Sequence, residues 1–288
     1  MSSNPVKDAR HAGAAGTTAA SMGTASAPYK KYLRAQRRLR MAVWLARFAL
    51  LAAFLGVWEL AADRKWVDAM LTSRPSQLVA SFKSLALEGK LWHHAWVTTS
   101  ETVIGLTLSM AIGTAIAVAL WWSSYASRVL EPYMVVLNAL PKVALGPIFY
   151  IWLGDRYSVY GMAIAISVIV TIMMLESGFK EIGQTKLRLM ESFGATKLQT
   201  LRMVLLPASV PNLVATLKVN VGLTLVGVIM GEFLSSKAGL GYMIIYGGQV
   251  FQMDMVMVAI ALLAALSMAL YGVVSLLGRF ALRRHPYD

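Results

Sequence analysis

Apolar residues run for about the width of a membrane six times along the chain, near residues 42–62, 97–122, 132–153, 158–179, 210–233 and 254–278. An α-helix rises about 1.5 Å per residue, so about 20 residues cross a hydrocarbon core of about 30 Å, and each stretch meets that length. The pattern predicts an all-α membrane protein with six transmembrane helices. Between the first two stretches, Pro75 is followed by Leu78, Val79, Phe82 and Leu85 at helical spacing and then by Gly89. That arrangement predicts an amphipathic helix with a proline start and a glycine stop, lying on the outer face of the membrane. Trp92, Trp96, Trp121 and Trp122 bracket the second stretch, where indoles favour the headgroup region.

Charge gives the pattern an orientation. Lys30, Lys31, Arg34, Arg37, Arg38 and Arg40 precede the first apolar run, and with the N-terminus inside 17 of the 27 basic residues fall in cytoplasmic segments and 7 in outer ones. This bias predicts a chain with both termini in the cytoplasm. Residues 1–29, rich in Ala, Gly, Ser and Thr, bury too little apolar surface to offset the entropy of ordering. The expected organisation is a disordered basic cytoplasmic tail over 1–40, the first transmembrane helix and the start of an outer loop over 41–71, a core over 72–278, and a second cytoplasmic tail over 279–288. No apolar core with a small-residue cleavage site follows the start, so the first span is expected to be retained.

Composition agrees with a lipid solvent: 57% of residues are hydrophobic, only 14% are charged, and the mean hydropathy is +0.60. The net charge of +13 lies in segments flanking apolar runs and no recognition motif accompanies it, which argues against nucleic acid as a partner. There are no cysteines, which excludes disulfides, thiolate metal sites and a cysteine nucleophile. His93 and His94 have no third ligand at metal spacing, and Ser167, Ser177 and Ser209 belong to no triad arrangement. Neither a metal site nor a catalytic constellation is expected.

The polar break at 180–207 is too long for a tight turn. Its sequence reads as a helix stopping at Gly194, then Thr196 with Gln199 three positions on as a capping box, opening a second helix that Pro207 closes. The segments ALPKVALGPIFYIWLG at 139–154, Gly194-Ala195 with Leu206-Pro207 and Pro211 downstream, GEF at 231–233 and GLGY at 239–242 resemble the permease subunits of bacterial ATP-binding cassette importers. The group concerned includes nitrate, taurine, alkanesulfonate and pyrimidine-precursor systems, and the likeness extends over about residues 72–278. It implies a type I importer permease (MetI-like) architecture in the bacterial inner membrane. The cytoplasmic loop of such a permease docks a separate ATPase, here through Arg188, Glu191, Gly194, Ala195, Thr196, Leu206 and Pro207. Arg188 stands where the family pattern commonly has glutamate. The resemblance also implies a second permease copy and a periplasmic solute-binding protein as partners. No phosphate-binding loop G-x-x-x-x-G-K-[ST] occurs, so ATP and Mg²⁺ would be held by the partner ATPase, with no cofactor on this chain.

Ionisable groups within spans are costly and mark sites by default. Asn138, Lys142, Glu176, Lys218 and Glu232 are the candidates for lining a pathway. Lys142 lies between Pro141 and Gly146-Pro147, a sequence that breaks a helix and turns backbone groups toward a cavity; it either meets an anionic solute or pairs with Glu176 or Asn138. For Lys218 and Glu232, nearer span ends, interfacial placement or interhelical pairing is expected. An ion-coupled secondary carrier is the alternative function, and only one broken helix and no internal repeat speak for it.

Overall fold

The computed structural model describes residues 27–64, 66 and 73–283. Its helices are α1 (Ala27–Asp63), α2 (Pro75–Leu87), α3 (Lys90–Trp122), α4 (Ser124–Ala139), α5 (Gly146–Glu181), α6 (Gln184–Ser192), α7 (Lys197–Thr200), α8 (Val210–Ser235), α9 (Leu240–Gln249) and α10 (Met253–Arg283). The chain divides into two compact units, residues 1–60 and 61–288. In the first, α1 exposes Trp44, Phe48, Leu51 and Phe54, as a helix whose solvent is lipid must. Arg47 lies 5.4 Å over the Trp44 ring.

Small residues and hydroxyls hold the second unit together. The buried face of α3 includes Thr98, Thr102, Gly105, Ser109, Gly113 and Ala117, three or four positions apart, so they form one stripe. Across this stripe α3 meets α5, and α5 meets α8 along most of its length. The approach is close enough that a Cβ on Gly227 of α8 would stand 2.6 Å from Ala163 Cα, and one on Gly231 would stand 2.5 Å from Val159 Cα. In lipid there is little hydrophobic drive between helices, so such close van der Waals packing is what joins them. The buried hydroxyls of Thr102, Ser167 and Thr171 each donate to the carbonyl four residues back, which leaves the dry seam without unpaired donors at those positions.

A second cluster lies at the far end of the bundle. Leu91, Leu225, Leu240, Met243, Val258, Ala259 and Leu263 join α3, α8, α9 and α10. Leu78 and Leu85 of α2 pack against it, so the amphipathic helix expected after Pro75 is present and uses half of its apolar stripe as a protein contact, while Val79 remains exposed. Gly89 follows α2 at φ +74, the left-handed stop its sequence suggests.

One expectation about helix continuity is met and two others are corrected. The helix break expected around Lys142 is present within the apolar stretch at 132–153: α4 stops at Ala139, Lys142–Leu145 forms a 3₁₀ turn, and α5 restarts at Gly146. Pro141 and Pro147 lack the N–H that would carry an α-helix through, and Gly154 at φ 72, ψ 179 interrupts α5 again. Five stretches among the described residues are long and apolar enough to cross a membrane: Gln36–Asp63, Lys90–Trp122, Lys142–Glu181, Val210–Ser235 and Met253–Leu282. The basic stretch before the first span is helical from Ala27 rather than part of a tail, and the disordered segment expected upstream lies outside the described residues. At the other end α10 carries the chain helically to Arg283. Finally, Pro207 does not close the second loop helix. After α7 the chain widens into a π-helix at Leu201–Leu205 and then into the turn Leu206–Ala208, where Pro207 occupies a first-turn position that needs no N–H.

Candidate functional site

Two structural sites lie at opposite ends of the second unit. The first is the turn between α6 and α7. Gly194 has φ +69, and the N–H groups of Gly194 and Ala195 bond to the carbonyls of Glu191 and Met190 at 2.9 and 3.0 Å. This pair of bonds is a Schellman closure, and it requires the left-handed backbone that glycine adopts without penalty. Thr196 then opens α7: its N–H donates to Gln199 Oε1 at 2.7 Å, and the Gln199 N–H donates to Thr196 Oγ1 at 3.3 Å. The capping box expected from the sequence is therefore formed in both directions.

The turn is exposed on one side and anchored on the other. Phe193, Leu198 and Met203 are well over half, half and two-thirds exposed, with Arg188 and Glu191 on the solvent side of α6. Leu201 and Leu205 are buried against Ala117, Leu175 and Phe179 of α3 and α5, and Leu206 packs beside them. Lys197 Nζ also reaches the Trp122 carbonyl at the end of α3, at 3.4 Å. The turn is thus packed onto the ends of two long helices. Arg188, Glu191, Gly194, Ala195 and Thr196 gather at the turn, whereas Leu206 and Pro207 belong to its anchor.

The second site surrounds Glu232 near the far end of α8, where the side chain is 1% exposed. Its Oε1 accepts the Thr98 hydroxyl at 2.6 Å and its Oε2 accepts the Gly241 N–H at 2.5 Å. Thr98 Oγ1 accepts the Leu240 N–H at 2.8 Å, and His94 Nδ1 accepts that of Gly239 at 3.0 Å. The N-terminus of α9 is therefore capped by side chains of two other helices, which satisfy N–H groups that a helix leaves unpaired. Gly239 and Gly241 are required because the carboxylate lies against both: a Cβ on Gly239 would overlap Glu232 Cδ, and one on Gly241 would stand 2.7 Å from Glu232 Oε2. Glu101 sets a second carboxyl beside this one, and its Oε2 is buried with no donor. Glu232 is thus an interhelical clamp, not an interfacial group.

The candidate pathway residues do not converge. Lys142 Nζ lies 3.0 Å from the Asn138 carbonyl and 3.4 Å from Asn138 Oδ1, so these two residues form a local pair across the break after α4. Glu176, the other partner considered for Lys142, instead accepts the Ser127 hydroxyl and pairs with Lys180 at 3.0 Å one turn along α5. Lys218 is half-buried on α8, without an ion pair among the described residues. Sequence reasoning does not single out Thr98, His94 and Lys180 as partners. Thr98 and His94 lie 134 and 145 residues from their partners, contacts that depend on helix packing, whereas Lys180 stands four positions after Glu176 on one helix, a spacing that could have found it.

A bundle of helices long and apolar enough to cross a membrane, with an anchored turn at one end, is the architecture of a multi-pass membrane protein. The chain belongs to the family described as binding-protein-dependent transport system inner membrane component, which matches residues 109–284. A protein of Haemophilus influenzae assigned as a probable ABC transporter permease is 33% identical over 187 residues, covering 63% of this chain and 74% of that one. The Escherichia coli permease SsuC, assigned to aliphatic sulfonate transport, is 26% identical over 260 residues, covering 90% and 95%. Among solved structures, an inward-facing MetNI methionine ABC transporter matches at a TM-score of 0.61 and 18% identity, over 68% of this chain and 98% of that chain, which shows the fold. The protein is accordingly an ABC transporter permease, a multi-pass membrane protein and a transport component rather than an enzyme. Its family works with ATPase and binding-protein partners.

Proposed function

We propose that this chain forms the translocation pathway for a small anionic solute of the sulfonate class, delivered by a periplasmic binding protein to a pair of identical permease copies in the bacterial inner membrane. The relative assigned to sulfonate transport covers 90% of the chain, and it carries the substrate reading. Six spans with both termini in the cytoplasm follow if α4 is counted as a short, proline-broken crossing beside the five long stretches. The α6–α7 turn then faces the cytoplasm and receives the ATPase, which binds ATP and Mg²⁺ in place of this chain. The single observation supporting that role is the anchoring of the turn through Leu201 and Leu205 onto α3 and α5. A docked rigid element transmits displacement where a loose loop does not. Lys142, held at the helix break by Asn138, is the cation proposed to meet the solute, with Glu176, Lys218 and Glu232 supporting the helices around it.

The test is uptake of a labelled alkanesulfonate by proteoliposomes containing the permease, its ATPase and its binding protein. ATP-dependent uptake that requires all three supports the reading. Uptake by the permease alone on an imposed ion gradient overturns it in favour of a secondary carrier.

A further inference from the structure

The turn joining α9 to α10, at the end of the unit opposite the α6–α7 turn, carries an unusual combination. Phe251 is 63% exposed and has φ +57, a left-handed backbone that a bulky residue adopts only when its surroundings impose it. The turn is held in that form by the Gln252 N–H bonded to the Gly247 carbonyl at 2.8 Å and by the Val250 N–H bonded to the Tyr246 carbonyl at 3.0 Å. Just before α2, Ser73 is a second non-glycine residue in the left-handed region, at φ +56; it is buried and its hydroxyl donates to Asp254 at 2.5 Å. These are the two non-glycine residues with positive φ among the described residues. Phe251 and Asp254 both line one open cavity of about 430 Å³, so one strained residue borders it and the other is tied to its wall. Gln77, Ser81 and Ser84 of α2 form the facing wall. Backbone strain persists where a structure over-determines it and gathers at sites of function.

We propose that Phe251 and the polar cavity beside it form the seat on which the solute-binding protein docks. The features of the surface select that occupant. A large exposed aromatic side chain, carried on a hydrogen-bonded turn beside a cavity of mixed polar and apolar lining, is the composition of a protein–protein anchor. A bilayer would be met by an apolar belt, whereas this cavity mixes Gln77, Ser81, Ser84, Gln252 and Asp254 with the apolar Leu85, Met253 and Met255. The turn lies at the end away from the anchored α6–α7 turn, so an ATPase there leaves this end for the family's other partner. The inference rests on the proposed orientation.

The chain contains no cysteine, so Phe251→Cys introduces a unique label. In proteoliposomes of the complete transporter, a membrane-impermeant maleimide first reports the side on which the introduced thiol lies; reaction only from the ATPase side defeats the orientation itself. A benzophenone maleimide at the same position, illuminated with the purified binding protein present, then tests docking. The expected product is one permease joined to one binding protein. A product joining two permeases, or none while hydrolysis remains binding-protein-stimulated, overturns the proposal. Independently, Phe251→Ala is expected to raise the binding-protein concentration at half-maximal hydrolysis about tenfold or more with the maximal rate unchanged, as loss of an interface anchor does. An unchanged half-saturation overturns it as well.

Discussion

Thr98 donates its hydroxyl to Glu232 Oε1 at 2.6 Å across 134 positions of sequence, and the same hydroxyl oxygen receives the Leu240 N–H. One side chain therefore ties α3, α8 and α9 together. Thr98→Val keeps the shape and removes the hydroxyl, leaving a buried carboxylate oxygen and a helix-initiating N–H short of a partner. Such groups cost about 1–3 kcal/mol each when left unsatisfied. A clear fall in the unfolding temperature of the purified protein in detergent is expected for Thr98→Val and little change for Thr98→Ser.

The same clamp explains the glycines of the GLGY segment. In Gly241→Ala the new methyl would stand 2.7 Å from Glu232 Oε2, 2.9 Å from its Cβ and 3.1 Å from the Ile229 carbonyl, so no single flexible group can yield. Overpacking of this kind costs about 1–3 kcal/mol. Glu232→Ala in the same chain removes the carboxylate oxygen from that contact, leaving only Cβ at 2.9 Å and the Ile229 carbonyl at 3.1 Å, so the double variant is expected to be less unstable than the sum of the two single changes. Strict additivity of the unfolding free energies would show that Gly241 and Glu232 do not meet.

Local patterns in the sequence are legible where short-range chemistry decides the outcome. Pro75 and Gly89 bound α2, Gly194 turns left-handed, and Thr196 with Gln199 forms its box because each involves residues within a few positions of one another. Five of the six apolar runs fall inside the five long apolar helices for the same reason, while the run at 132–153 straddles the break between α4 and α5. Pro207 departs from expectation because a proline ends a helix only if its missing N–H is needed, and the π-helix before it removes that need. Partners in three dimensions are not legible. Glu176 accepts from Ser127, 49 positions away, and not from Lys142, while Glu232 is buried at the start of α9 because helix packing places it there.

Orientation is tested with single cysteines in a chain that otherwise lacks them. Ser192 lies at the exposed end of α6, and Lys237 is exposed between α8 and α9. With right-side-out vesicles, Lys237→Cys is expected to react with an impermeant maleimide and Ser192→Cys only after the membrane is opened. The reverse pattern would invert the proposed topology.

Lys142 provides a test of the pathway. Its ammonium is held by Asn138 at the break before α5 and not by a carboxylate, so Lys142→Met removes a charge without stranding a counter-ion. A charged hydrogen bond contributes about 1.5–3 kcal/mol, so losing one to the solute is expected to lower uptake of an alkanesulfonate about tenfold or more while the ATPase still copurifies. Unchanged uptake would remove Lys142 from the pathway; loss of copurification would make it a structural residue.

Gly194 isolates the coupling role of the α6–α7 turn from simple packing. A Cβ there meets nothing within 4 Å, so a side chain has room and the only obstacle is the backbone at φ +69. A β-branched residue is strongly disfavoured in that region, with a strain of about 1–3 kcal/mol, whereas asparagine tolerates it. Gly194→Val is therefore expected to undo the Schellman closure through Ala195 and Met190 and tilt α7 away from α6, while the buried anchor at Leu201 and Leu205 keeps the spans assembled. In membranes containing all subunits, the variant is expected to insert normally but to lose ATPase on purification or to lose solute-stimulated hydrolysis. Gly194→Asn, which preserves the turn, is expected to restore both. Full retention of the partner, of stimulation and of uptake in Gly194→Val would show that energy reaches the spans by another route.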